Sequence, residues 1–118
     1  MGNKSGVDLI DAAKAKIREV RASDAVNNPE PGVIYYDCRE PNEYALGHIP
    51  GAVFLPRGNL ETKVEAVLPR NKTILVYCAS GNRSALAADT MQQMGYTDVA
   101  SMADGFRGWV DAGGEVES

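Results

Sequence analysis

Apolar residues recur at helical spacing near the start of the chain, with Ile10, Ala13 and Ile17 on one stripe, and predict a helix over about residues 7–18. Ser5 stands where an N-cap belongs, and Asp8 three residues on completes a capping box. The pattern weakens over residues 19–22, where a short edge strand fits. Ser23 and Asp24 then offer a cap for a brief helix, which Pro29, Pro31 and Gly32 terminate. Beyond that punctuation the spacing changes. Residues 33–38 and 73–78 are continuous apolar, β-rich runs bounded by turns, as in strands covered on both faces of a parallel sheet. Shorter strand candidates occupy 52–55 and 98–102. Helical stretches fall at 41–46, 59–68, 84–94 and 106–112, and Gly95 follows the third as a stop. Strand and helix alternate from residue 33 to 112, the pattern of an α/β fold with a mainly parallel central sheet and helices on both faces.

Composition narrows the class. The chain has 118 residues, without internal repeat, low-complexity tract or linker, so residues 1–118 read as a single domain. A domain of this size removes roughly two-thirds of its unfolded surface from water. Hydrophobic residues make up 44% and charged residues 24%, which excludes wholesale disorder and collagen-like structure. Twelve basic against sixteen acidic side chains give a formal charge of −4. That balance offers no basic stripe for nucleic acid or an anionic membrane surface. No apolar run approaches the ~20 residues of a membrane span. Residues 1–8 lack a signal-peptide core, and Gly6 occupies the position where an N-myristoylation motif wants Ser or Thr. A cytoplasmic protein is therefore expected. Two cysteines are too few for a disulfide scaffold, and one histidine gives no structural zinc set, so no metal is expected.

Sites in open parallel sheets form at the carboxyl ends of strands. Cys38 and Cys78 end the two strongest strands, but only Cys78 runs at once into a glycine-containing polar loop, Ala79-Ser80-Gly81-Asn82-Arg83-Ser84, with a helix behind it. Small residues let the backbone curl so that several N–H groups point inward. Gly81 can take a positive φ. The helix start contributes partial positive charge and Arg83 a full one. A thiolate in such a ring titrates below free cysteine and is nucleophilic at neutral pH. A cysteine ending a buried strand is ordinarily a small apolar filler; the glycine, the arginine and the helix together make Cys78 the candidate nucleophile.

The chain resembles the rhodanese homology domain in three separated pieces within residues 33–113. The first runs from Asp37-Cys38-Arg39 through Glu43-Tyr44 to Gly47-His48-Ile49-Pro50-Gly51-Ala52. The second is the Cys78–Ser84 loop. The third, Asp104-Gly105-Phe106-Arg107-Gly108-Trp109, is similar to the family's Gly-Gly ending with Asp104 in place of one glycine. The resemblance implies a sulfurtransferase: cysteine phosphatases of the superfamily place five residues between Cys and Arg, and this chain places four. The implied reaction is ping-pong. Cys78 takes sulfur from a small anionic donor such as thiosulfate or polysulfide, and a thiophile such as cyanide or a thiol removes it. No cofactor is implied.

Roles follow for the remaining residues. Arg83 would attract the donor and hold the thiolate, or else pair with an acid on the helix that follows it. Ser84 would donate to the sulfur or cap the helix. The side chains of Ala79, Ser80 and Asn82 shape access while the loop backbone binds. With Arg83 as its single charge, the loop departs from relatives carrying extra basic residues, which bears on dianionic thiosulfate as the preferred donor. Asp37 and Arg39 are expected to support the site from behind, with Glu43 bracing a loop and His48 packed in a turn. Cys38 stands where the family commonly has an aliphatic residue or Thr. It is either a core filler or a resolving thiol for a Cys78 persulfide. Trp109 and Phe106 are expected to close the core, with Arg107 on a pocket rim. The alternatives are a phosphatase or arsenate reductase of the same superfamily, and an idle protein-binding module. A sulfur-relay partner protein would share the same chemistry. The helix at 7–18, outside the motifs, is the place for a protein-specific contact. Gly113, Gly114 and the acidic tail predict a frayed C-terminus.

Overall fold

A computed structural model describes residues 2–118; Met1, part of the start read above for lipidation, lies outside the described residues. Helix α1 (Gly6–Lys16) opens on the expected box, with the Asp8 N–H donating to Ser5 Oγ at 3.1 Å and the Ser5 N–H to Asp8 at 3.0 Å. Strand β1 (Arg18–Val20) is the short edge strand. Helix α2 (Ala22–Asn27) starts one residue before Ser23, and neither Ser23 nor Asp24 caps it. Its first N–H, from Ala22, donates instead to the Asp104 carboxylate at 2.8 Å. The cap is tertiary, supplied from 82 residues away.

Strand β2 (Ile34–Asp37), helix α3 (Pro41–Leu46) and the two-residue strand β3 (Val53–Phe54) follow. A 3-10 turn (Arg57–Asn59) then leads into α4 (Leu60–Val67). Strand β4 (Ile74–Tyr77) and helix α5 (Asn82–Gln93) flank the cysteine loop. Strand β5 (Val99–Met102) and helix α6 (Gly105–Asp111) complete the order. The helix predicted from residue 84 begins two residues earlier, which places Arg83 and Ser84 in its first turn.

All five strands are parallel, in the order β1-β5-β4-β2-β3. Every residue of β4 is buried, as its unbroken apolar run predicts, and so is every residue of β5, whereas β2, the other such run, is only half-buried at Ile34 and Tyr35. One face of the sheet packs Tyr36, Cys38, Val76 and Cys78 against Leu60, Val64, Ala87 and Met91 of α4 and α5. The other packs Leu75, Tyr77, Ala100 and Met102 against Ala22 and Ala25 of α2 and Trp109 of α6. From β2 the chain steps outward to β3, and from β4 it steps the opposite way to β5. The reversal opens a crevice between the carboxyl ends of β2 and β4, where Cys38 and Cys78 lie.

The C-terminus is docked, not frayed. Glu117 and His48 exchange backbone hydrogen bonds at 2.9 and 3.0 Å, Glu117 Oε1 accepts from the Gly51 N–H at 3.1 Å, and the Trp109 indole donates to the Glu115 carbonyl at 2.7 Å. Glycine and acid content predicted mobility, but the tail finds unpaired backbone groups to meet. Among the described residues no helix is long and apolar enough to cross a membrane.

Candidate active site

Cys78 follows β4, and the loop curls so that the Gly81 N–H donates to its Sγ at 3.1 Å and the Ser84 N–H at 3.4 Å. The curl needs Gly81: its φ is +101°, and a Cβ there would collide with the carbonyl of Ala103. Gly81 is also the N-cap of α5, so the sulfur receives N–H groups at the positive end of a twelve-residue helix. Behind the loop, the first N–H groups of α6 clamp it. Phe106 donates to the Cys78 carbonyl at 2.8 Å and Arg107 to that of Ala79 at 3.3 Å. Gly105, at φ +62°, lets the backbones meet, since a Cβ would strike Ala79.

Ser84 is wholly buried and does not cap the helix. Its Oγ lies 3.5 Å from Cys78 Sγ and 2.8 Å from the hydroxyl of Ser101, also wholly buried. Burial pushes the Cys78 thiol up, but the Ser84 hydroxyl and the N–H groups of Ser84, Ser80 and Gly81 outweigh it, so the pKa lies below that of an ordinary thiol. Ser101 is a site residue that sequence reasoning missed; the one available signal was a hydroxyl inside an otherwise apolar strand.

Arg83 does not reach for the sulfur directly. Its guanidinium makes a two-pronged pair with Glu43 of α3, at 2.7 and 3.0 Å, and not with an acid on its own helix. The pair holds the Glu43 carboxyl down at about 2 and raises Arg83 further above its usual value. Glu43 also accepts the Glu40 N–H at 3.0 Å, so one carboxylate ties the α3 start to the α5 start.

Asp37 and Arg39 form a buried ion pair at 2.8 Å behind the loop. Arg39 also donates to the Gly47 carbonyl at 2.7 Å and lies 4.4 Å from the centre of the Phe106 ring. The pair thus links β2, the turn after α3 and the start of α6. His48 stacks on Tyr44 at 3.7 Å, with Nδ1 2.9 Å from the Tyr44 carbonyl. Ala79 is half-buried, while Ser80 and Asn82 are exposed at the loop's outer edge. Beside Ala79 a cavity of about 320 Å³ is lined by Arg39, Phe106, Arg107, Val110 and Asp111, which puts Arg107 on its rim.

A cysteine sulfur ringed by loop and helix N–H groups, at the carboxyl edge of an all-parallel sheet, defines a cysteine-loop α/β domain. The rhodanese-like domain model matches residues 21–112, and the chain belongs to that family. It is 34% identical to the thiosulfate sulfurtransferase GlpE of Pseudomonas fluorescens over 80 residues, 68% of this chain and 72% of that one. It is 41% identical to YrkF of Bacillus subtilis, a candidate sulfur carrier protein, over 73 residues. That match takes in 62% of this chain but only 39% of YrkF, so the chain spans well under two-thirds of that relative's length. A solved structure from Rhodopseudomonas palustris, of a protein of unknown function described as a possible tyrosine phosphatase, superposes with a TM-score of 0.88 at 34% identity. It covers 99% of this chain and 97% of that one.

Proposed function

We propose that this rhodanese-like chain is a sulfurtransferase that carries sulfane sulfur as a persulfide on Cys78. The observation that carries the reading is the cluster of donors on Cys78 Sγ, from Gly81 at 3.1 Å and Ser84 at 3.4 Å, inside a loop with four residues between Cys and Arg. The thiolate attacks the outer sulfur of thiosulfate or a polysulfide. A new S–S bond forms as the donor's breaks, and sulfite or the shortened polysulfide leaves. Loop N–H groups then hold the terminal persulfide anion, as an oxyanion hole holds oxygen. Cyanide or a thiol attacks that sulfur, and the Cys78 thiolate departs. Ala79, Ser80, Gly81 and Asn82 supply backbone and access. Arg83 is held in a two-pronged pair with Glu43, which braces the loop against α3 and leaves the anionic donor to the loop N–H groups. The chemistry asks for no metal or organic cofactor. The name of the Pseudomonas relative supports this reading, and that of YrkF supports transfer onward to a protein acceptor.

The phosphatase reading draws on the description of the Rhodopseudomonas protein. A ring with four residues between Cys and Arg is small for a tetrahedral phosphate, and Arg83 is engaged by Glu43 where a phosphatase would need it on the phosphate. Two assays separate the readings. Thiocyanate production from thiosulfate plus cyanide, or from polysulfide plus cyanide in excess of the spontaneous reaction, is expected, and that production is lost in Cys78→Ser. Cys78-dependent hydrolysis of an aryl phosphate without thiocyanate would overturn the sulfurtransferase in favour of a phosphatase.

A further inference from the structure

The second cysteine is placed for chemistry. The β2–β4 register pairs Ile34 with Ile74 and Asp37 with Tyr77, and the Cys38 N–H donates to the Tyr77 carbonyl at 3.1 Å. That bond carries the ladder one residue past the strands, so Cys38 stands directly opposite Cys78. In-register residues of a parallel pair face the same side, and both cysteines belong to the same buried cluster. Neighbouring strands lie about 4.8 Å apart, inside the roughly 4.4–6.8 Å Cα separation that a disulfide spans. Both cysteines are free thiols.

The surroundings of Cys38 are polar in an unusual way. On the same face of β2, the wholly buried Tyr36 hydroxyl has no hydrogen-bond partner among the described residues, and neither has Arg57 Nε. The Arg57 backbone N–H donates to the Cys38 carbonyl at 3.0 Å, while its guanidinium bonds Glu61 at 3.0 Å and Thr90 at 3.3 Å. A buried hydroxyl and a buried Nε are thus left unpaired on the two segments that adjoin Cys38. A simple apolar filler needs neither, and leaving both unpaired costs free energy.

We infer that Cys38 is a resolving thiol that discharges the Cys78 persulfide within the chain, giving a Cys38–Cys78 disulfide and free hydrosulfide. The inference rests on the persulfide reading above. The Cys38 sulfur bonds to the inner sulfur of the persulfide, and the bond between inner and outer sulfur breaks. The outer sulfur leaves with both electrons of that bond and takes the Cys38 proton. One thiol and one persulfide anion become one disulfide and HS⁻, so sulfur, hydrogen and charge balance. The sulfane sulfur is reduced, the two cysteines supply the electrons, and a thiol reductant restores the pair.

Burial, with the charges of Cys78 and Asp37, pushes the Cys38 thiol up, while Arg83 and Arg57 pull it down. Cys38 is therefore a weaker nucleophile at neutral pH than an ordinary thiol. Against a sulfur held beside it, an effective molarity on the order of 10⁵ M or more offsets several tenfold losses in thiolate population. The consequence is a second outlet. With a thiophile present, sulfur is transferred; without one, it is released as sulfide.

The experiment loads reduced wild type, Cys38→Ala and Cys38→Ser with polysulfide, desalts them without air or thiol, and follows intact mass and trapped sulfide. Wild type is expected to lose its added sulfur and become two hydrogens lighter than the reduced chain. One sulfide per chain is released, and a Cys38–Cys78 peptide is recovered. Both variants should keep the persulfide at least about tenfold longer, with no lighter species. A wild-type persulfide as long-lived as those of the variants, or sulfide release without the disulfide, overturns the inference and leaves the persulfide reading intact. Failure of all three proteins to take up sulfur overturns the persulfide reading, and this inference falls with it.

Discussion

At the scale of single residues, the chemistry depends on what favours the thiolate of a buried sulfur. Two backbone donors and a hydroxyl face Cys78 Sγ, and the hydroxyl is oriented from behind by Ser101. A hydrogen bond to a charged group contributes roughly 1.5–3 kcal/mol. Ser84→Ala is thus expected to slow alkylation of Cys78 at neutral pH by about tenfold and move its pH profile upward. Ser101→Ala should do the same less strongly. Iodoacetamide rates across pH check both, and superimposable profiles would contradict the role given to the serines. Glu43 makes a different prediction. Its carboxyl is lowered from the usual 4.5 to about 2 by Arg83, so the stability it adds is complete above 4.5 and disappears as pH falls toward 2. Side-chain exposures of 37% and 28% mean that solvent screens the pair, so the effect is small. Urea midpoints of wild type and Glu43→Gln should differ at neutral pH and converge in that acid window. Cys78, Gly81 and Arg83 were legible because the loop is contiguous. Ser101 and the Glu43–Arg83 pair were not, because nothing local reveals which strand or helix faces the loop.

Among the elements, the loop's shape is fixed by contacts on both sides. Gly81 lies against Ala103 at the end of β5, and Gly105 lets the α6 start lie on Ala79. Gly81→Ala combines a positive-φ penalty with a backbone collision, and is expected to cost about 2 kcal/mol or more. A thermal melt checks that loss. Cys78 alkylation should slow in parallel, since the same displacement withdraws the Gly81 N–H from the sulfur. Unchanged melting and reactivity would show that the loop does not need this conformation. The strands and most helices could be read from periodicity and caps, down to the Ser5–Asp8 box. The start of α2 could not. Its partner, Asp104, is distant in the chain, and local Ser23 and Asp24 looked like the better cap. Tertiary geometry overrode a sound local rule.

For the whole molecule, alternation of strand and helix made an α/β fold with a parallel sheet legible, and the full burial of β4 follows from its unbroken apolar run. Strand order was beyond periodicity, and with it the fact that matters most for chemistry. The reversal between β2 and β4 brings the two cysteine-bearing strand ends side by side. The tail shows the limit of composition: its glycines and acids suggested fraying, yet Glu117 forms an isolated antiparallel bridge with His48 and bonds Gly51. The measurement that tests the central claim most directly is intact mass after brief exposure to thiosulfate, and separately to polysulfide, on wild type and Cys78→Ser. Wild type should gain one sulfur atom from at least one donor, lose it to cyanide, and owe the gain wholly to Cys78. A wild-type chain that gains no sulfur from either donor, or a Cys78→Ser chain that gains it equally, would contradict Cys78 as the sulfur carrier.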